Sequence, residues 1–421
     1  MRVHSRTTSG AHEWGAGVMF HNAALKRTAL TPYDWGLVFA ATGLLVMGLV
    51  MVFSASSSVA EAKSASHEHT YYLVRHAMYL VIGLGAGYAA FQVPTPLWQK
   101  LAPGLFIAGA LLLVLVLIPH LGREVNGSRR WIPLGPLGNF QPSEFMKFAT
   151  ILYAADYTVR KAAHMQNLAR GFLPMFLVML GVGGALLMEP DFGAFVVIVT
   201  IALAALFLGG LNARLFFGLI ALLAVGFVLL VVMSPYRLAR VTSYLDPWND
   251  PYGAGYQLSH ALIALGRGEI LGVGLGDSVE KLFYLPESYT DFLLAVIGEE
   301  LGLIGVLGVI GLFAWLTWRA FSIGWQASLM GRNYAALVAQ GVGVWIGLQS
   351  FINMGVNLGL LPTKGLTLPM MSYGGSGIVS NCLGLAILLR VDYENRCMMK
   401  GAAGGSADSR GRRPPYEGKK G

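Results

Sequence analysis

Charge is what this chain has least of. Of its 421 residues only 12% are Asp, Glu, Lys or Arg, while 55% are hydrophobic. A soluble chain of this length needs far more charge to cover its surface, so an ordinary soluble enzyme is excluded. Cysteine is nearly absent as well. Cys382 lies in an apolar run and Cys397 near the basic end, and the two are not expected to pair. No Walker loop, GxSxG or HExxH occurs. The histidines, His67, His69, His76 and His260 among them, lack ligand spacing, so no bound metal is expected. Alternating segments of about ten residues are missing too, which argues against a membrane β-barrel.

What the chain does have is apolar runs of roughly 20 residues, each long enough for the ~30 Å hydrocarbon core. The fold expected is an all-α polytopic membrane protein, because helices satisfy their own backbone groups in lipid. About ten spans are expected, at 34–55, 71–92, 98–118, 142–158, 172–188, 192–209, 213–233, 295–318, 335–357 and 375–391. The polar start carries Arg2, Arg6, Lys26 and Arg27 and shows no cleavable signal, so the first span is expected to stay as an anchor.

With ten spans, roughly two-thirds of the 30 Lys and Arg fall on the side of the N-terminus, which makes both termini cytoplasmic. The net charge of +8 is then a topology signal and not a sign of nucleic-acid binding. The stretch 256–276 tempts an eleventh span, but Arg267 and Glu269 interrupt it; it is expected to be an amphipathic or re-entrant element. One long extracytoplasmic loop, about 234–290, joins spans seven and eight. Three regions follow: a cytoplasmic segment 1–33, a membrane domain 34–396, and a disordered basic cytoplasmic tail 397–421.

Charges at membrane depth are functional candidates, and most cluster toward the outer side. Arg129 and Arg130 sit outside against the positive-inside bias, beside Trp131. Gln141, Pro142, Ser143 and Glu144 then open a span, with Glu144 and Lys147 on one helix face. These residues fit a helix cap with a structural ion pair, and they fit a polar cavity equally well. In MEPDFG, Asp191 fits a helix N-cap better than a direct role. In LPESYTDF, Asp291 could be a cap too. However, the fully apolar run begins only at 301, so a helix starting near Asp291 rises roughly 15 Å before it. Its first turns must then stand in a cavity whose apolar walls raise the carboxylate's pKa toward that of a useful base. Between the last spans, a loop with Pro362, Pro369, Ser372 and Tyr373 carries Lys364 as its single cation, a rim suited to an anionic ligand.

Taken together, RRWI, FQPSEFMK, EPDFG, LPESYTDFLLAVIGEELG and LPTKGLTLPMMSYGGSG resemble the shape, elongation, division and sporulation family of peptidoglycan glycosyltransferases. The resemblance spans about 34–396, and EVNGSRRWI and DPWNDPYGAGYQ place the chain nearer the division branch than the elongation branch. It implies polymerisation of lipid II into β-1,4 glycan strands on the outer face of the inner membrane, at the septum. It implies Asp291 as the catalytic base, with no tightly bound cofactor beyond a divalent cation (Mg or Mn) that could accompany the diphosphate. Arg129, Arg130 and Lys364 become candidate diphosphate contacts, and Trp131 packs against lipid or sugar. Glu144 and Lys147 shape the cavity, with Gln141, Ser143, Ser372 and Tyr373 around it. The implied partners are a class B penicillin-binding protein and other divisome membrane proteins.

The rival from another class is a lipid II flippase, which needs polar groups along its whole path. The inner halves of the spans read as nearly uncharged, which disfavours it. A noncatalytic scaffold for the transpeptidase is a third reading.

Overall fold

A computed structural model describes residues 31, 33–63, 69–125, 128–135, 138–233, 244–253, 255–363 and 365–411. The segment 1–30, the last ten residues of the basic tail (412–421) and Lys364 lie outside the described residues. Every expected span has a helix: α1 (Trp35–Lys63), α2 (Tyr71–Gln92), α3 (Thr95–Leu117), α4 (Pro142–Arg160), α5 (Leu173–Met188), α6 (Phe192–Leu208), α7 (Ala213–Val232), α9 (Leu293–Leu329), α10 (Asn333–Asn357) and α11 (Gly375–Gly411). A further short helix, α8 (Tyr256–Gly268), lies between α7 and α9.

Among the described residues, seven helices are both long and apolar enough to cross a bilayer. Of the rest, α7 is apolar over its 20 residues and α6 has only 17, whereas α4 is polar and buried inside the bundle. It packs against α3, α6 and α10, so its polar side chains meet protein and not lipid.

Two features depart from the sequence reading. A three-stranded antiparallel sheet, β1 (Arg123–Val125), β2 (Ser128–Pro133) and β3 (Asn139–Phe140), stands where an irregular loop was expected. In addition, α1, α9 and α11 overrun their expected ends. In α9 and α11 the added turns carry charges that pair: Arg319 of α9 binds Asp34, just before α1, and Arg396 binds Asp392 one turn earlier on α11 at 2.8 Å. Arg332 and Arg390 both bind Glu394. The end of the bundle where α1 begins is therefore charged, contrary to the reading of uncharged inner halves. These charges are paired with one another and close that end.

At the opposite end, α8 has only 13 residues, about 20 Å, too short to span. The chain after it docks on α9. Glu269 O accepts from Leu303 N at 2.9 Å, and Val273 N donates to Glu299 O at 2.9 Å. This pairing is possible because α9 breaks at Gly302, with φ 66° and ψ −164°, a region open essentially to glycine. A Cβ there would lie 2.4 Å from Gly272 N. Two ion pairs lock the same junction: Arg267, itself exposed, to the buried Glu299 at 2.9 Å, and the buried pair Lys281 to Glu300 at 2.7 Å.

Candidate active site

All five sequence motifs meet at the end of the bundle where α1 finishes. The N-terminus of α4 is tied first. Gln141 Nε2 and Ser143 Oγ donate to Asp191 Oδ2 at 3.1 and 2.9 Å, and Asp191 Oδ1 caps α6 through Ala194 N at 3.1 Å. The backbone N–H of Gln141 donates to Ser376 Oγ, 2.8 Å away on α11. The first turns of three helices are thereby held together by two small side-chain junctions.

One turn deeper, Lys147 is fully buried and donates to Glu144 Oε1 at 2.7 Å and to Gln349 Oε1 at 2.8 Å. Gln349 also accepts from Trp345 Nε1 and donates to Thr367 O, both at 2.9 Å. The second oxygen of Glu144 is buried without a partner. The ion pair expected from the spacing is present, and Gln349 joins it from α10.

Asp291 precedes α9 and is half-buried. Its backbone carbonyl accepts from Asn353 Nδ2 at 2.8 Å and from Asn357 Nδ2 at 3.0 Å. Asn353 also donates to Leu366 O at 2.6 Å, so α10 fixes Asp291 against the loop 361–374. The α9 cap position is Phe292 and no side chain bonds there, so Asp291 is not the helix cap that one reading of the sequence allowed. Its carboxylate makes no hydrogen bond among the described residues. Burial pushes its pKa up to about 7, the Glu287 charge adds to the rise, and Arg130 opposes it.

The pairing of β2 with β1 shifts register at the two arginines, with Arg129 opposite Glu124 and Trp131 opposite Arg123, so Arg130 has no partner across the ladder. Arg130 reaches the turn before α6, donating to Pro190 O at 2.8 Å and Glu189 O at 3.3 Å. Arg129 turns away and pairs with Glu124 at 3.1 Å. Of the two expected diphosphate contacts on this strand, the structure brings in Arg130 and leaves Arg129 out. Trp131 stands opposite Arg123 of β1. Ser372 Oγ accepts from Leu368 N at 2.9 Å and closes a turn of the loop. Tyr373 packs its ring against Tyr72 and Tyr289, with centroids 5.2 and 5.8 Å away, and its N–H donates to Tyr289 O at 3.0 Å.

Three site features escaped the sequence reading. Gln349, Asn353 and Asn357 recur every fourth residue on α10, a stripe of amides on one face that the spacing alone could have revealed. Glu189 is fully buried with both oxygens unpartnered, and burial raises its pKa to about 8. The Lys281–Glu300 pair, with Ser54 Oγ donating to Glu300 at 2.6 Å, joins residues too far apart in sequence to be paired by inspection. No three His, Cys, Asp or Glu side chains converge as a metal site among the described residues.

These features define a class: a helical membrane protein holding two unbonded, proton-avid carboxylates, Asp291 and Glu189, near one arginine and a stripe of amides. The FtsW/RodA/SpoVE family model, described as cell cycle protein, matches residues 35–397, and the chain belongs to that family. It is 63% identical over 375 residues to the "Probable peptidoglycan glycosyltransferase FtsW" of Aromatoleum aromaticum, covering 89% of this chain and 91% of that one. The protein of the same name from Burkholderia thailandensis is 54% identical over 405 residues, covering 95% and 87%. Among solved structures, a chain from a study of polymerization and crosslinking by a peptidoglycan synthase complex superposes with TM-score 0.69 at 32% identity, covering 86% and 98%. The rod shape determining protein RodA of Thermus thermophilus gives 0.61 at 29%, covering 86% and 97%.

Proposed function

We propose that this chain polymerises lipid II into glycan strands for the division septum, with Asp291 as the catalytic base. The chain is a peptidoglycan glycosyltransferase, as its relatives are named. The observation that carries the residue assignment is the unbonded Asp291 carboxylate, fixed by its backbone and poised to gain a proton near pH 7. In this reading the carboxylate takes the proton of the acceptor's 4-hydroxyl. That oxygen forms a bond to the donor's anomeric carbon as the bond from this carbon to the lipid diphosphate breaks, and the leaving diphosphate keeps the electron pair. A diphosphate leaves readily without a general acid, so one carboxylate suffices, unlike the pair in glycosidases. Arg130 offsets charge on the diphosphate, with Lys364 as a further candidate cation. Glu144, Lys147, Gln141 and Ser143 keep the cavity polar, and Tyr373 and Ser372 shape its rim. A divalent cation, if one takes part, travels with the diphosphate.

The same reading makes all ten helices spans, puts both termini in the cytoplasm and turns the site outward. It also assigns a class B penicillin-binding protein as partner, supported by the likeness to a polymerization and crosslinking complex, and places the pair among the divisome membrane proteins. The test is glycan synthesis from lipid II by purified protein in vesicles, with and without that partner. Asp291→Asn is expected to fold and to lose polymerisation by about 100-fold or more, in the range of general-base losses. Full activity in that variant overturns the base assignment.

A further inference from the structure

We propose that Arg75, on the tyrosine-rich first turns of α2, is a second seat for a lipid-linked diphosphate, on a different wall of the site from Arg130. The inference rests on the polymerase reading above and deepens it. Joining two lipid-linked sugars brings two diphosphates to one carboxylate, and each dianionic or trianionic group needs its own counter-charge.

Among the described arginines at this end, Arg129 is paired with Glu124 and Arg267 with Glu299, Arg123 is exposed, and Arg130 donates to two carbonyls and Ser128 without a carboxylate partner. Arg75 is half-buried and has no ion pair or hydrogen bond among the described residues. Its guanidinium lies 4.7 Å from the centre of the Tyr71 ring. No acidic residue occurs anywhere on α2. Glu61 at the end of α1 stands 3.7 Å from His69. A guanidinium held part-way into a helix bundle without an anion is costly, and an incoming phosphate removes that cost.

The surroundings connect this cation to the reaction. Tyr71 packs edge-on to Tyr72 at 5.2 Å, and Tyr72 lies 4.7 Å from Tyr289. Tyr289 is two residues from Asp291, and Tyr72 also packs edge-on against Tyr373 of the loop after α10, at 5.2 Å. The tyrosines thus form a continuous wall from Arg75 to the segment bearing Asp291. Their rings suit the apolar faces of sugars, and their hydroxyls can donate to phosphate or sugar oxygens. Arg130 approaches Asp291 from the turn before α6, so two cations on separate walls match two diphosphates.

The alternative source of the same chemistry is a phosphate headgroup of the bilayer, since arginines near helix ends reach for the interface. The experiment uses full-length protein in two kinds of vesicle, phosphatidylcholine alone and phosphatidylcholine with phosphatidylglycerol. Arg75→Ala is expected to raise KM for lipid II about tenfold in both, with kcat within about threefold, the scale of one lost charge-assisted contact. Arg75→Lys should recover part of that loss. Binding of fluorescent lipid II to Asp291→Asn, with and without Arg75→Ala, reads the same weakening without turnover. An unchanged KM and unchanged binding overturn the proposal, as does an effect confined to the anionic vesicles. If Arg75→Ala does not fold, Arg75→Gln, which keeps a planar group over Tyr71, carries the same comparison. An active Asp291→Asn protein with weakened lipid binding in Arg75→Ala sinks the base assignment and leaves the seat standing.

Discussion

At the scale of single residues, the chemistry turns on one carboxylate that prefers its proton. The Asp291 pKa rises from 3.8 to about 7, chiefly by burial. A base works only when deprotonated, so polymerisation is expected to rise with pH through about 7 and level off above it. A rate that is flat or falling from pH 6 to 8 rules Asp291 out as the titrating base. Stability runs the other way. The folded state holds this proton more tightly than the unfolded chain, so the group stabilises the fold below about pH 4. That contribution is lost as pH rises to about 7 and stays lost above it. The whole change corresponds to about 4 kcal/mol. Asp291→Asn should therefore be more stable than the parent at pH 8, by up to that amount, with the gap shrinking toward pH 4. Thermal unfolding in one detergent at both pH values checks it. An acidic helix start was visible in LPESYTDF from the sequence, and so was the apolar wall that raises its pKa. The absence of a capping bond was not, because it depends on Asn353 and Asn357 pulling the Asp291 backbone instead.

At the scale of elements, α4 shows how a polar helix survives in an apolar bundle. Spacing placed Glu144 and Lys147 on one face, and the ion pair at 2.7 Å is there. What spacing could not supply was the third member, Gln349, which arrives from α10. Removing one partner of a buried pair strands the other charge, so Lys147→Met is expected to cost about 3–5 kcal/mol. Adding Glu144→Leu should return most of that stability. If the pair also keeps the cavity polar, the double variant will fold but remain at least about tenfold impaired. Recovery of both folding and activity would reduce the pair to a structural role. The break in α9 was hidden for a different reason. GEELGLIG has enough glycine for a kink anywhere, and only the docking of 269–274 selects Gly302. The strand β2 was hidden as well, and its register shift leaves Arg130 without a partner across the ladder while Arg129 meets Glu124.

At the scale of the molecule, alternate helices run in opposite directions, and this sorts the connections. The connections with β1–β3, α8 and the loop 361–374 gather at the end that holds Asp291. At the other end Asp34, Arg319, Asp392, Arg396, Arg332 and Glu394 pair with one another. Polar ends need either water or each other, and here they use each other. Orientation in the bilayer can be read with the chain's own cysteines. Cys397 is exposed at the paired-charge end, and Cys382 is buried. A membrane-impermeant maleimide should leave Cys397 unlabelled in intact spheroplasts and label it after permeabilisation. On a Cys397→Ser background, Leu282→Cys, on the exposed surface of the long loop, should label before permeabilisation. Labelling of Cys397 in intact spheroplasts would put the charged end outside. The Asp291 cavity would then open toward the cytoplasm, on the wrong side for glycan strands made at the cell exterior.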